Sequence, residues 1–184
     1  MTRSALVVLT VAALAYLAAC AALFFFQRSL IYLPQPARAG APASWMRLPA
    51  DGAELAVSVA ARDQADALVY FGGNAEDVSA SLDDITHAFP GHAVYLMHYR
   101  GYGGSSGAPS EEALHQDALA LFDKVHASHP NVIVMGRSLG TGVAMRLASR
   151  RPAARLVLVT PYDNLEEIAA RQFPIFPVRW MLRD

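Results

Sequence analysis

The sequence has little of several things that would narrow its role at once. It holds a single cysteine, Cys20, which excludes a disulfide within the chain and leaves the redox compartment open. It has no Lys/Arg cluster and a formal net charge of −1, so no basic field suits a nucleic acid. There is no H-x-x-x-H pattern and no paired cysteine, so no metal site is expected. The Gly-rich stretch Gly101 to Gly107 lacks the G-K-[ST] ending of a phosphate loop and reads as part of a pocket wall. No cofactor is implied, and no internal repeat is visible. Histidine is absent from the last part of the chain: His87, His92, His98, His115, His126 and His129 all precede Ser138.

Apolar residues are abundant, at 54% of the chain, and many gather at one end. From Ser4 to Phe26 there is no charge. As a helix this run would span about 34 Å, enough to cross the hydrocarbon core of a bilayer. Arg3 precedes it and Gln27-Arg28 follows it. A cleaved secretory signal has a shorter apolar core, so residues 4–26 are expected to be an uncleaved single-pass anchor. The alternative is a lipoprotein: Leu17-Ala18-Ala19-Cys20 resembles a lipobox, which would be cleaved before Cys20 and acylated there. The strongly apolar Ala21 to Phe26 speaks for the anchor. Arg28, Arg38 and Arg47 outnumber Arg3 and slightly favour a cytoplasmic C-terminal part, whereas the lipobox would place that part outside. Residues 27–44, with Pro34, Pro36 and Pro42, read as a juxtamembrane linker, and residues 45–184 as the folded domain.

Within that domain one stretch organises the rest. Asn131 to Gly142 reads NVIVMGRSLGTG. Val132 to Met135 is a short apolar run with β-branched residues, the pattern of a strand buried on both faces. It enters Gly136-Arg137-Ser138-Leu139-Gly140, a G-x-S-x-G, and Val143 to Ala148 reads as a helix. Strand, sharp turn and helix are the context in which this motif is a nucleophile elbow. Side chains at Gly136 or Gly140 would collide with neighbouring backbone. The serine hydroxyl is thereby presented above the sheet, beside the positive end of a helix. The plainer reading is a Gly-rich turn carrying a bystander serine.

Strands and helices alternate elsewhere. Ala53 to Ala60 has strand-like alternation after a turn at Ala50-Asp51-Gly52, with a weaker strand at Trp45 to Leu48. Ala67 to Phe71, Ala93 to His98 and Arg155 to Thr160 are apolar strands. Helices are expected over Glu76 to Phe89, over Ser110 to Ser128 with Ser110 as its cap, and over Gly140 to Arg150. The class is therefore α/β: a three-layer domain with a mostly parallel sheet covered on both sides. Polar and Gly-rich residues collect after successive strands, at Gly72-Gly73-Asn74, at Tyr99 to Ser105, at the elbow and at Pro161 to Asn164. Those are the carboxyl ends of the strands, where such sheets bind ligands.

These residues resemble the membrane-anchored, serine-aminopeptidase-like branch of the α/β-hydrolases. The match rests on Phe26 to Pro34 after the anchor, on Tyr70-Phe71-Gly72-Gly73-Asn74-Ala75, on Tyr99-Arg100-Gly101-Tyr102-Gly103 and on Gly136 to Gly140. The resemblance implies that Ser138 is the acyl-accepting nucleophile. It also implies an oxyanion hole formed by the backbone N–H groups of Leu139 and Asn74, with Gly73, His98 and Tyr102 as pocket residues. Gly72-Gly73-Asn74 stands where many relatives have His-Gly-Asn, and His98 where many have an acid; a strand-end histidine bonded to a loop is the plainer role for His98. The family order is serine, acid, histidine, yet only Asp163, Glu166, Glu167 and Asp184 follow Ser138 as acids. Asp163 falls one strand too early and is expected to cap a helix beginning near Asn164 or Leu165.

The expectation is thus an N-terminal portion of a longer hydrolase, its sheet incomplete at the C-terminal edge, with a true short product as the alternative. Leu156 to Val159 would then form an uncovered edge strand, and the apolar residues from Phe173 to Leu182 would have little to pack against. Three functions fit. One is a membrane-anchored serine hydrolase of ester, thioester or peptide bonds, its triad acid and histidine missing from this chain. Another is a non-catalytic relative that binds an acyl or peptide ligand. The third is a divergent enzyme whose base comes from elsewhere, His98 being the nearest candidate.

Overall fold

A computed structural model of the chain describes residues 2–36 and 45–183. Residues 37–44, the later part of the expected linker, lie outside the described residues, as does Asp184. The chain divides into two compact units, one from Tyr32 to Tyr162, the other made of the segments before and after it.

The larger unit is built on six strands: β1 (Trp45–Ala50), β2 (Ala53–Ala60), β3 (Asp66–Phe71), β4 (His92–Met97), β5 (Val132–Arg137) and β6 (Arg155–Val159). Their order across the sheet is β1-β2-β4-β3-β5-β6. β1/β2 and β2/β4 are antiparallel, and the pairs from β4 through β6 are parallel. β1 is longer than its sequence pattern suggests and takes in Pro49, which an edge strand tolerates because that position need not donate to a ladder. The β1–β2 turn needs a left-handed residue, and Gly52 supplies it at φ 69°.

Both faces of the central strands are buried, as their unbroken apolar runs require. On one face, Leu68 and Tyr70 of β3, Val94 and Leu96 of β4 and Ile133 of β5 pack with Val78, Leu82 and Ile85. The last three come from a 3₁₀ turn (Val78–Ser81) and helix α2 (Leu82–Ala88). Sequence spacing predicts one helix over Glu76 to Phe89. The structure splits it because Asp77 accepts hydrogen bonds from the backbone N–H and the hydroxyl of Ser79, and so starts a tighter turn. Helices α3 (Glu111–His126) and α4 (Leu139–Ala148) contact strands and each other. They bury Leu114, Ala118, Leu121, Phe122, Val143, Ala144 and Leu147. Ser110 caps α3, accepting from the Ala113 N–H as expected. β6 closes the sheet on β5 as an edge strand with no fully buried residue, and Leu156 is 39% exposed.

The second unit contains α1 (Arg3–Ile31), α5 (Leu165–Gln172) and α6 (Val178–Met181). α1 has 29 residues, a mean hydropathy of 2.5 over its most apolar stretch, and no buried residue. It continues past the charge-free run, so Gln27 to Ile31, expected as linker, is helical. Asn164, not Asp163, caps α5: its side chain accepts from the Glu167 N–H at 2.6 Å, and Asp163 lies outside the cap. Phe176, expected to lack a partner, stacks on Tyr16 with ring centroids 5.7 Å apart, whereas Trp180 is 89% exposed.

Candidate active site

The turn from β5 into α4 has the geometry that G-x-S-x-G demands. Ser138 has φ 48° and ψ −118°, a backbone conformation that a side chain makes costly, by about 1–3 kcal/mol. The strain is held in place by its neighbours. The Ser138 N–H donates to the Val159 carbonyl of β6 at 2.9 Å, and its carbonyl accepts from the Thr141 N–H (2.9 Å) and hydroxyl (2.6 Å). The flanking glycines are set by close approach. A Cβ on Gly136 would lie 2.2 Å from the Gly140 oxygen; one on Gly140 would lie 2.0 Å from the Phe71 oxygen. α4 is therefore pressed directly onto the end of β3. Leu139 is its first residue, and its N–H is one of those that a helix start leaves without an intrahelical acceptor.

The loop that follows β3 runs past the serine. A Cβ built on Gly73 would come within 3.7 Å of the Ser138 Cβ. This loop is held by hydrogen bonds along three successive peptide units. In the Gly72–Gly73 unit the carbonyl accepts from the Tyr99 hydroxyl and the N–H donates to Glu76 Oε2, both at 2.8 Å. In the next unit the Gly73 carbonyl accepts from the Glu76 N–H at 3.4 Å. In the third the Asn74 carbonyl accepts from the Tyr102 hydroxyl at 2.6 Å and from the Leu33 N–H at 3.1 Å.

The Glu76 carboxylate, 12% exposed, also accepts from the Tyr70 hydroxyl at 2.7 Å and the Ser81 hydroxyl at 3.1 Å, with Arg137 Nη1 at 3.5 Å. Burial, aided by Glu76, raises the Tyr70 phenol above its ordinary range. Burial is also the main cause at Tyr99, raised as well, and at Tyr102, pushed up to about 12. All three therefore stay protonated and able to donate near neutral pH.

The segment carrying Tyr99 and Tyr102 is itself anchored. Arg100 makes a bidentate pair with the buried Asp117 of α3, both contacts at 2.8 Å. Ser105 donates to the His98 carbonyl and accepts from the Ala56 N–H. His98 is 2% exposed, its Nε2 is 2.8 Å from the Ser58 hydroxyl of β2, and its ring stacks on Trp45 with centroids 5.0 Å apart. A Cβ on Gly103 would strike its Nδ1. Burial lowers its pKa to about 4, so it is neutral at pH 7. β3 separates its strand from the elbow strand. The structure thus sets Gly73 beside Ser138, with Asn74 and Leu139 adjoining them in the chain and Tyr102 bonded to the Asn74 carbonyl, and it commits His98 to Ser58 of β2. Glu76 and Tyr99 are the residues that sequence reasoning misses. The first reads as the start of a helix, and the second only as part of a motif.

A mixed, mostly parallel sheet with a strained serine between β5 and α4 defines the class: an α/β-hydrolase. Family comparison makes it specific. The family described as serine aminopeptidase S33 matches residues 63–183, and the chain belongs to that family. An uncharacterized protein of Mycobacterium tuberculosis is 40% identical over 124 residues, which cover 64% of this chain and 44% of that protein. The lysophosphatidylserine lipase ABHD12 of Bos taurus is 38% identical over 109 residues, covering 51% of this chain and 27% of the lipase. The chain thus spans less than half the length of these curated relatives. Among solved structures, the Pyrococcus furiosus esterase Pf2001 superposes with a TM-score of 0.65 over 78% of this chain and 63% of the esterase. At 16% identity it speaks for the fold alone. A proline iminopeptidase-related protein of Thermus thermophilus is 26% identical, with a TM-score of 0.57, covering 70% of this chain and 48% of that one.

Proposed function

We propose that Ser138 is the nucleophile of a membrane-anchored hydrolase that cleaves an ester, thioester or peptide bond through an acyl-enzyme. The observation that carries this reading is the Ser138 backbone, held at φ 48° beside the Gly73–Asn74 loop. In the first step Ser138 Oγ attacks the substrate carbonyl carbon and gives its proton to a general base. The carbonyl π electrons move to oxygen, and the backbone N–H groups of Leu139 and Asn74 hold that oxyanion. One such donor contributes roughly 3 kcal/mol to lowering the barrier. Collapse of the tetrahedral intermediate expels the leaving group, which takes up the proton, and water then releases the acyl group by the same path. No histidine of the chain is assigned as the base, since His98 is committed to Ser58. That commitment favours a second reading, a non-catalytic relative that binds an acyl or peptide ligand in the same place.

The anchor is assigned to α1. At 1.5 Å per residue it is about 44 Å long, more than a bilayer core needs. Its 29 residues and mean hydropathy of 2.5 support a spanning helix, with acylation at Cys20 as the alternative mode of attachment. Among substrate classes, an acyl ester of a lysophospholipid suits both the anchor and the named relative. The test is turnover of matched acyl ester, acyl thioester and aminoacyl amide substrates in detergent. At least one of the three should be cleaved, and Ser138→Ala should abolish that turnover. Binding of the acyl substrate without turnover would favour the second reading.

A further inference from the structure

We infer that Tyr99, Tyr102 and Glu76 are positioning residues that aim the Asn74 N–H at the reacting centre. This inference rests on the reading of Ser138 and Asn74 given above. A peptide unit is planar, so its N–H direction is fixed once the neighbouring planes are fixed. The Asn74 N–H belongs to the unit between Gly73 and Asn74. Its own carbonyl is bonded by the Glu76 N–H. The unit before it is clamped at both ends, by the Tyr99 hydroxyl at the carbonyl and the Glu76 carboxylate at the N–H. The unit after it is clamped at its carbonyl by Tyr102 and Leu33. The N–H of a trans unit points opposite to its carbonyl, so these contacts leave the Asn74 N–H little freedom of direction.

Tyr99 and Tyr102 are both 2% exposed and pack edge to face with centroids 5.7 Å apart, so either ring could fill its space as phenylalanine. The hydroxyls are the added feature: that of Tyr99 meets the Gly72 carbonyl, and that of Tyr102 meets the Asn74 carbonyl while accepting from the Leu33 N–H at 2.8 Å. Glu76 gathers N–H and O–H donors from Gly73, Tyr70 and Ser81. It thus ties the loop to β3 below it and to the turn leading into α2. A preorganised donor acts on the transition state only if its direction is set before the reaction.

The test uses the full chain in detergent micelles, with Tyr99→Phe and Tyr102→Phe made separately and Tyr95→Phe as the control. Tyr95 is also buried and hydroxyl-bonded, but to His129 at the other end of the sheet. Two readouts are taken, hydrogen exchange across residues 72–76 and the kcat/KM split on the ester substrate. Each loop variant is expected to raise exchange about tenfold and lower kcat about tenfold at near-constant KM, because a misdirected donor is lost from the transition state more than from the ground state. Tyr95→Phe should change neither. Unchanged exchange in both loop variants would overturn the inference, as would faster exchange with unchanged kcat. If Ser138→Ala shows that the serine is inert, the functional reading fails on its own, and the exchange arm alone then decides whether these hydroxyls fix the loop.

Discussion

At the elbow, rigidity comes from backbone pressed against backbone. Gly136 lies on Gly140 and Gly140 lies on Phe71, with no room for a methyl group at either position. In the loop after β3, a few ångströms away, rigidity comes from side chains reaching in from elsewhere: Tyr99 and Tyr102 from the segment after β4, and Glu76 from the turn before α2. The two halves of one site thus use opposite devices. Steric contact is absolute and leaves glycine as the one tolerated residue. Hydrogen bonding is graded, and each contact can be removed without changing volume. The elbow should therefore fail through stability, and the loop through function.

The largest effect is expected where that contrast is sharpest. Gly140→Ala puts a Cβ 2.0 Å from a backbone oxygen that cannot move aside. It should cost about 3 kcal/mol or more, read as a fall in the urea midpoint. Ser138→Gly should act in the opposite direction. Relief of the strained φ outweighs the added freedom of the unfolded glycine, so stability should rise by about 1 kcal/mol while turnover disappears. The smallest change in stability belongs to the loop. Gly73→Ala meets nothing closer than 3.5 Å, so the midpoint should move by less than about 0.5 kcal/mol. Its methyl would nevertheless stand beside the Ser138 side chain, and turnover should fall about tenfold. A Gly73→Ala that unfolds the domain, or a Gly140→Ala that does not, would erase the distinction between the halves.

The same distinction decides what can be read from the sequence. Steric demands leave local signatures, so G-x-S-x-G with its strand and helix announces the elbow. The strand read from Ala53 to Ala60 has the bounds of β2, although Leu55 to Val59 are buried in unbroken succession and not in alternation, and Ser110 is recognisable as the cap of α3. Contacts between residues distant in sequence leave no such trace. Tyr102 meets Asn74 across 28 positions and Tyr99 meets Gly72 across 27, and no periodicity encodes either pair. Glu76 escapes a sequence reading because its spacing to Val78, Leu82, Ile85 and Phe89 suits a helix, yet its carboxylate is drawn out to the Gly73 N–H. Helix capping at Asn164 instead of Asp163 is a one-residue slip between two competent caps. His98 ends an apolar run and reads as the end of a strand. Burial against Trp45 and Ser58, which only the fold reveals, sets its role.

The central claim is that the strained residue between β5 and α4 is a working nucleophile. Mass-spectrometric mapping of a fluorophosphonate adduct on the folded chain in detergent tests it most directly. The account predicts one adduct, on the peptide that contains Ser138, absent from Ser138→Ala. An adduct that persists in that variant, or none at all on a chain shown to be folded, would contradict it.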